Sequence, residues 1–259
     1  MRLTIEVELD YHFEAPTDVL LTIEAADLPD QHLVEDRLTV NGSGPLRPIE
    51  GEDNIGRRTW MRAEGPFLAI YRAIFDVERT APAIEALPIS LPSNLPAEVV
   101  PYLWPSRYCE SDRFEAFVER EFGEIEGGAK LTAMANWIWD HLDYLPGTSD
   151  ATTTAVDAFV SRHGVCRDYA HLMAAFARAA SVPARLVSAY ALHLHPPDFH
   201  ALVEVWLEGR WHLIDATRMA PLDGIVRICV GRDATDIAFM TSFGPAEMND
   251  QSVTVARTD

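Results

Sequence analysis

Leu3, Ile5, Val7, Leu9, Tyr11 and Phe13 occupy successive odd positions, with mostly polar residues between them. Side chains in a strand alternate faces, so this run predicts a long strand with one buried face. Val19, Leu21, Ile23 and Ala25 repeat the pattern after Pro16, which predicts a break between two strands. Leu38-Thr39-Val40 runs into the turn cluster Asn41-Gly42-Ser43-Gly44-Pro45, and Arg57 to Arg62 and Leu68 to Glu78 read as further strands. Residues 1–85 are therefore expected to form an antiparallel β unit, sandwich-like or a sheet. Pro82, Pro88, Pro92, Pro96, Pro101 and Pro105 follow within 81–105 and predict an extended connector between units, whose boundaries as a separate segment are set at 86–110.

Beyond the connector the apolar period becomes helical. Ser111-Asp112 is expected to cap a helix carrying Phe114, Phe117 and Phe122, and Gly127-Gly128 to break the chain. Leu131, Met134, Ala135, Ile138 and Leu142 form the stripe of a second helix. A third is expected from Thr152 or Thr153, and a fourth after Gly164, with Leu172, Met173, Ala175, Phe176 and Ala179 on its buried face. Strands return at Arg185 to Leu194, Ala201 to Leu207, Arg210 to Asp215, Ile225 to Val230 and Val253 to Val255. Helices first and antiparallel strands after define an α+β core over 111–259.

Glu208-Gly209 suits a two-residue hairpin turn, which pairs Leu207 with Arg210 and sets Asp215 opposite Leu202. His200 is then the diagonal neighbour of Asp215 on the same face, about 7 Å away at Cα. A slip of one residue would put the two on opposite faces.

Composition narrows the possible partners. The formal net charge is −19, with Lys130 the one lysine, and an acidic surface repels both nucleic acid and anionic membrane. Cys109, Cys166 and Cys229 are too few and too scattered for a disulfide framework or zinc ribbon, which suits a reducing compartment. The first residues lack the apolar core of a signal peptide, and no apolar run reaches the roughly 18 residues of a membrane span, so a cytoplasmic location is expected. Oligomeric state is not legible.

The chemistry gathers between Gly164 and Asp215. Cys166 falls in the first turn of the fourth helix, where unpaired N–H groups and the helix dipole stabilise an anion. A cysteine nucleophile needs an imidazole beside it and a third group to orient that ring. The pieces Gly-Val-Cys-Arg-Asp-Tyr-Ala-His at 164–171, Pro-Ala-Arg at 183–185, Asp-Phe-His-Ala at 198–201 and Asp-Ala-Thr at 215–217 resemble the transglutaminase-like cysteine peptidase superfamily. Its bacterial branch, with a β-rich N-terminal region, fits best. The resemblance implies a papain-like α+β core, with Cys166 as nucleophile, His200 as general base and acid, and Asp215 as orienting group. It implies a peptide or protein amide as substrate, an acyl-thioester intermediate and no cofactor or metal. Hydrolysis by a peptidase or amidase and amine transfer by a transglutaminase both remain open. The resemblance also makes Asp168 and His171 support residues, and Ser106 and Tyr108 candidates for the site's edge. Tyr108, Trp104 and Tyr144 are candidates for the second oxyanion donor. The pattern departs at Leu202, where many members carry Trp.

Two other readings stand beside this one. A non-catalytic binding module on the same scaffold predicts a missing triad member, and none is missing. A zinc site predicts that His193, His195 and His200 converge, with His193 and His195 on one face of a strand.

Overall fold

The structure, a computed structural model, describes residues 1–80 and 83–258; Pro82 of the expected connector lies outside them. The strands, in chain order, are β1 (Arg2–Glu24), β2 (Gln31–Ser43), β3 (Arg47–Glu50), β4 (Arg57–Val77), β5 (Asp143–Tyr144), β6 (His163–Gly164), β7 (Ala184–Ala191), β8 (His200–Leu207), β9 (Arg210–Ile214), β10 (Ile225–Gly231), β11 (Met240–Ser242) and β12 (Glu247–Arg257). The helices are α1 (Glu115–Phe122), α2 (Gly127–His141), α3 (Ala155–Ser161), α4 (Cys166–Ala179) and the short α5 (Ala234–Ile237). Short 3-10 turns occupy much of the connector, among them Ile84–Ala86, Pro92–Asn94 and Val100–Leu103.

The odd apolar positions of the N-terminal run are buried as expected, but the break at Pro16 does not occur. β1 pairs with β4 along nearly its whole length, and the register shifts between Phe13 and Thr17. Proline cannot donate to the ladder, and a bulge absorbs the residues around it without ending the strand. Gly65 and Pro66 lie opposite Phe13 and His12, so both long strands are irregular at the same level. The two strands expected between Arg57 and Glu78 are accordingly one, β4.

These strands form one six-stranded sheet, not two packed sheets. β12 and β11 pair with the other side of β1, and β2 and β3 with the other side of β4. Residues 240–257, expected to close the core after 111, thus complete the N-terminal sheet instead. Their partners lie at the opposite end of the chain, which local patterning cannot reveal. The second sheet has the order β10-β7-β8-β9, and α4 packs against it. One buried cluster spans the first sheet, the helices and α4. Tyr190 of β7 ties the sheets together: its ring stacks with Tyr71, and its hydroxyl donates to the Ile23 carbonyl at 2.6 Å.

Three helix starts differ from expectation. Ser111–Arg113 is a 3-10 turn, and α1 begins after Phe114 with no side-chain cap. Gly127 and Gly128 open α2 rather than breaking the chain. A Cβ on Gly128 would sit 1.7 Å from the Ile84 carbonyl oxygen, so glycine is required by the close pass of the connector. α3 is capped by Thr154, whose hydroxyl accepts from the Asp157 N–H while Asp157 accepts from the Thr154 N–H.

Charge is buried where the sheets meet. The Glu204 carboxylate is fully enclosed and bridges Arg185 at 2.6 Å and Arg227 at 2.7 Å. Arg227 also pairs with Asp30, Arg185 with Asp53 at 2.8 Å, and Arg79 with Asp30 at 2.6 Å. Removing the central anion would leave two largely buried guanidinium groups without it. Glu204→Ala is expected to cost about 3–5 kcal/mol, read as a lower midpoint in urea denaturation.

Candidate active site

Two residues of parallel pairing set the entrance to α4. β5 and β6 join Tyr144 to Gly164, and Val165 then leads into Cys166, the first residue of α4. The Asp168 carboxylate turns back and accepts the Val165 N–H at 2.8 Å. A Cβ on Gly164 would lie 2.6–2.9 Å from the Asp168 side chain, so the glycine is what lets the carboxylate close this turn. Asp168 is wholly buried and serves the start of the helix.

The hairpin has the expected register: Leu207 pairs with Arg210 and Val203 with Ile214. Glu208 and Gly209 both have positive φ, 48° and 79°, as a two-residue hairpin turn requires. Asp215 follows β9 directly, and His200 opens β8. The His200 Nε2–H donates to Asp215 Oδ2 at 2.9 Å, with 0% and 3% of the two side chains exposed. The second Asp215 oxygen accepts the Thr217 N–H at 2.9 Å and the Thr217 hydroxyl at 2.7 Å. The carboxylate therefore both orients the ring and organises its own turn.

With Nε2 committed to Asp215, Nδ1 is the free ring nitrogen; it is buried and accepts no hydrogen bond among the described residues. Burial alone would lower the His200 pKa. The hydrogen bond to Asp215 and the adjoining Cys166 sulfur outweigh burial and bring it up to about 10. Burial would likewise raise Asp215, but His200 and Thr217 hold it below the ordinary carboxylate range. Cys166 is partly exposed, whereas Cys109 and Cys229 are fully buried and pushed up to about 12 by that burial.

Tyr144 lies against Cys166. Burial and the electrostatic interaction with Cys166 push its hydroxyl pKa up, while a hydrogen bond from the Cys166 backbone N–H acts in the opposite direction. The other aromatic candidates are placed elsewhere. The Trp104 carbonyl accepts from Arg178, near the far end of α4, about 18 Å of helix from Cys166. Ser106 accepts from the same guanidinium at 3.1 Å. Tyr108 stacks on His171 at 5.2 Å, and its hydroxyl donates to the Ala151 carbonyl at 2.6 Å. His171 is buried, accepts the Ala234 N–H at Nε2 (3.1 Å) and is pulled down to about 3 by burial, so it stays neutral. Both brace the loops behind α4.

His193 and His195 lie beyond the end of β7, in an exposed turn, not on a strand face. His200 is committed to Asp215, and among the described residues no cluster of three or more metal-binding side chains forms. Asp198 was read from sequence as part of the Asp-Phe-His-Ala motif and of the histidine cluster; Gln251 was not singled out. Asp198 accepts from Gln251 of β12 at 2.7 Å, a contact between distant segments that no local motif announces. No helix among the described residues is long and apolar enough to cross a membrane.

Comparison with known proteins matches residues 118–216 to the model of the transglutaminase-like superfamily. A solved structure from Cytophaga hutchinsonii, provisionally named a cysteine protease, superimposes with a TM-score of 0.94 at 34% identity, covering 100% of this chain and 92% of that one. An uncharacterized protein of Mycobacterium leprae is 33% identical over 148 residues, 52% of each chain, so the match spans about half the length of that curated relative. The periplasmic domain of TgpA from Pseudomonas aeruginosa aligns at 19% identity with a TM-score of 0.45, over 82% of this chain and 76% of that one. The family match spans Cys166, His200 and nearly the whole hairpin, and the Cytophaga relative extends the likeness over the full chain: the protein belongs to the transglutaminase-like superfamily, whose fold is that of thiol-dependent enzymes.

Proposed function

We propose that the chain is a Cys-His-Asp acyl-transfer enzyme acting on a peptide or protein amide. The observation that carries this reading is the His200 ring, anchored through Nε2 to a buried carboxylate with Nδ1 left unpartnered beside Cys166. The Cys166 sulfur attacks the amide carbonyl and forms a C–S bond. As the C–N bond breaks, the imidazolium of His200 gives its proton to the leaving amine. The resulting acyl-thioester is attacked by water or by an amine, with His200 taking the incoming proton, and the thiol is released. Water gives the acid, which is peptidase or amidase chemistry; an amine gives a new amide, which is transglutaminase chemistry. The protease name borne by the Cytophaga relative favours water. Negative charge on the carbonyl oxygen would be met by the Cys166 backbone N–H at the start of α4 and by the Tyr144 hydroxyl beside it.

Iodoacetamide at mild pH, followed by peptide mass spectrometry, tests the nucleophile. Cys166 is expected to alkylate at least about tenfold faster than Cys109 or Cys229. Incubation with a p-nitrophenyl ester and acid quenching is expected to leave an acyl adduct on Cys166. Equal alkylation of the three thiols, or no adduct, overturns the reading.

A further inference from the structure

Asp198 stands two residues before His200, next to the proposed site in sequence. Phe199 between them packs inward, stacked on Phe239 at 4.6 Å and against Tyr190 at 5.7 Å. Asp198 lies in the loop that leads into β8, which opens with the buried His200. Two residues of chain hold their Cα atoms within about 7 Å of each other. Asp198 also lies close enough to Tyr144 for its charge to act on the tyrosine hydroxyl, which itself adjoins Cys166. The carboxylate is thus flanked by two residues of the proposed site.

Its charge is oriented but not neutralised. Oδ1 accepts the Gln251 side-chain N–H at 2.7 Å and the Phe199 backbone N–H at 2.7 Å. Both donors are neutral. Among the described residues no Lys, Arg or His pairs with Asp198 and no hydrogen bond reaches Oδ2, and burial raises the carboxyl's pKa. Other carboxylates near the molecular centre are different: Asp30, Asp53 and Glu204 each meet an arginine. A fixed anion with one free oxygen, held at one residue's reach from the reacting groups, is complementary to a cation.

We propose that Asp198 is a specificity-determining residue, selecting acyl substrates with a lysine or arginine side chain within one or two residues of the reacting carbonyl. This rests on the acyl-transfer reading, and its test separates the two. The rate of Cys166 modification is measured with three methanethiosulfonate reagents, trimethylammonium-ethyl, methyl and sulfonatoethyl, in wild type, Asp198→Asn and the remote control Glu64→Gln at physiological salt. Distant charges are screened there, so local ones dominate the comparison. The cation-to-anion rate ratio is expected to fall at least about threefold in Asp198→Asn and to stay unchanged in the control. Paired peptide amides with Arg or Gln next to the scissile residue form the second arm: the Arg-over-Gln ratio of kcat/KM is expected to fall by a similar factor in Asp198→Asn. A reactive Cys166 whose charge preference ignores the substitution overturns the specificity proposal alone. A Cys166 inert to all three reagents, with no peptide turned over, overturns the acyl-transfer reading and this one with it.

Discussion

Cys166→Ala is expected to lower kcat/KM toward amide and ester substrates by at least about 10⁴-fold while leaving the fold intact. The remaining thiols cannot substitute, since Cys109 and Cys229 are sealed in the core. Cys166 is a small, partly exposed side chain at a helix start, so its truncation creates no internal cavity. Progress curves with a fluorogenic amide, beside a thermal melt of the same sample, check both halves. A variant retaining more than a hundredth of wild-type activity would place the nucleophile elsewhere.

The second large effect is expected from Asp215→Asn, which keeps the shape and removes the charge. An amide can also present N–H to the ring and so favour the wrong tautomer, and a loss of about 10³–10⁴-fold in kcat is expected, of the size such replacements cause in other triads. The substitution should reshape the pH dependence of stability as well. His200 has a folded pKa raised from 6.5 to about 10, so its contribution is complete below 6.5 and is lost as pH climbs toward 10. Asp215 has a depressed folded pKa, so its contribution is present above the unfolded carboxylate value of about 4 and is lost as pH falls through the folded one. The stability gap between wild type and Asp215→Asn is therefore expected to be widest from about pH 4 to 6.5 and to narrow on either side. Urea denaturation of both proteins at several pH values measures it. A gap that widens above pH 9 would contradict a charged pair.

The contact between His200 and Asp215 was legible because a hairpin with a two-residue turn admits one register, and alternation then decides which side chains share a face. The position of Cys166 was legible from Gly164 and the apolar stripe behind it. Pro16 misled because a missing N–H weakens a ladder locally, and pairing on both flanks carried the strand past it. The ends of the helices were blurred by backbone contacts from the connector, as at Gly128. Trp104 was attractive for its chemistry alone, and only tertiary packing assigns it to the other end of α4. Tyr144 differed from Trp104 and Tyr108 in nothing local; its pairing with Gly164 is what brings it to Cys166. Asp198 was legible as part of Asp-Phe-His-Ala, but its contact with Gln251 was not, since β12 comes back from a distant stretch of the chain.

That return has a bearing on biogenesis. One edge of β1 stays uncovered until β12 has left the ribosome, because Leu3 at one end of β1 pairs with Arg257 of β12. Closure of the first sheet is therefore governed by long-range pairing, which is intrinsically slow. Gln251 arrives on the same strand, so a nascent chain that stops short of β12 lacks the strut that orients Asp198.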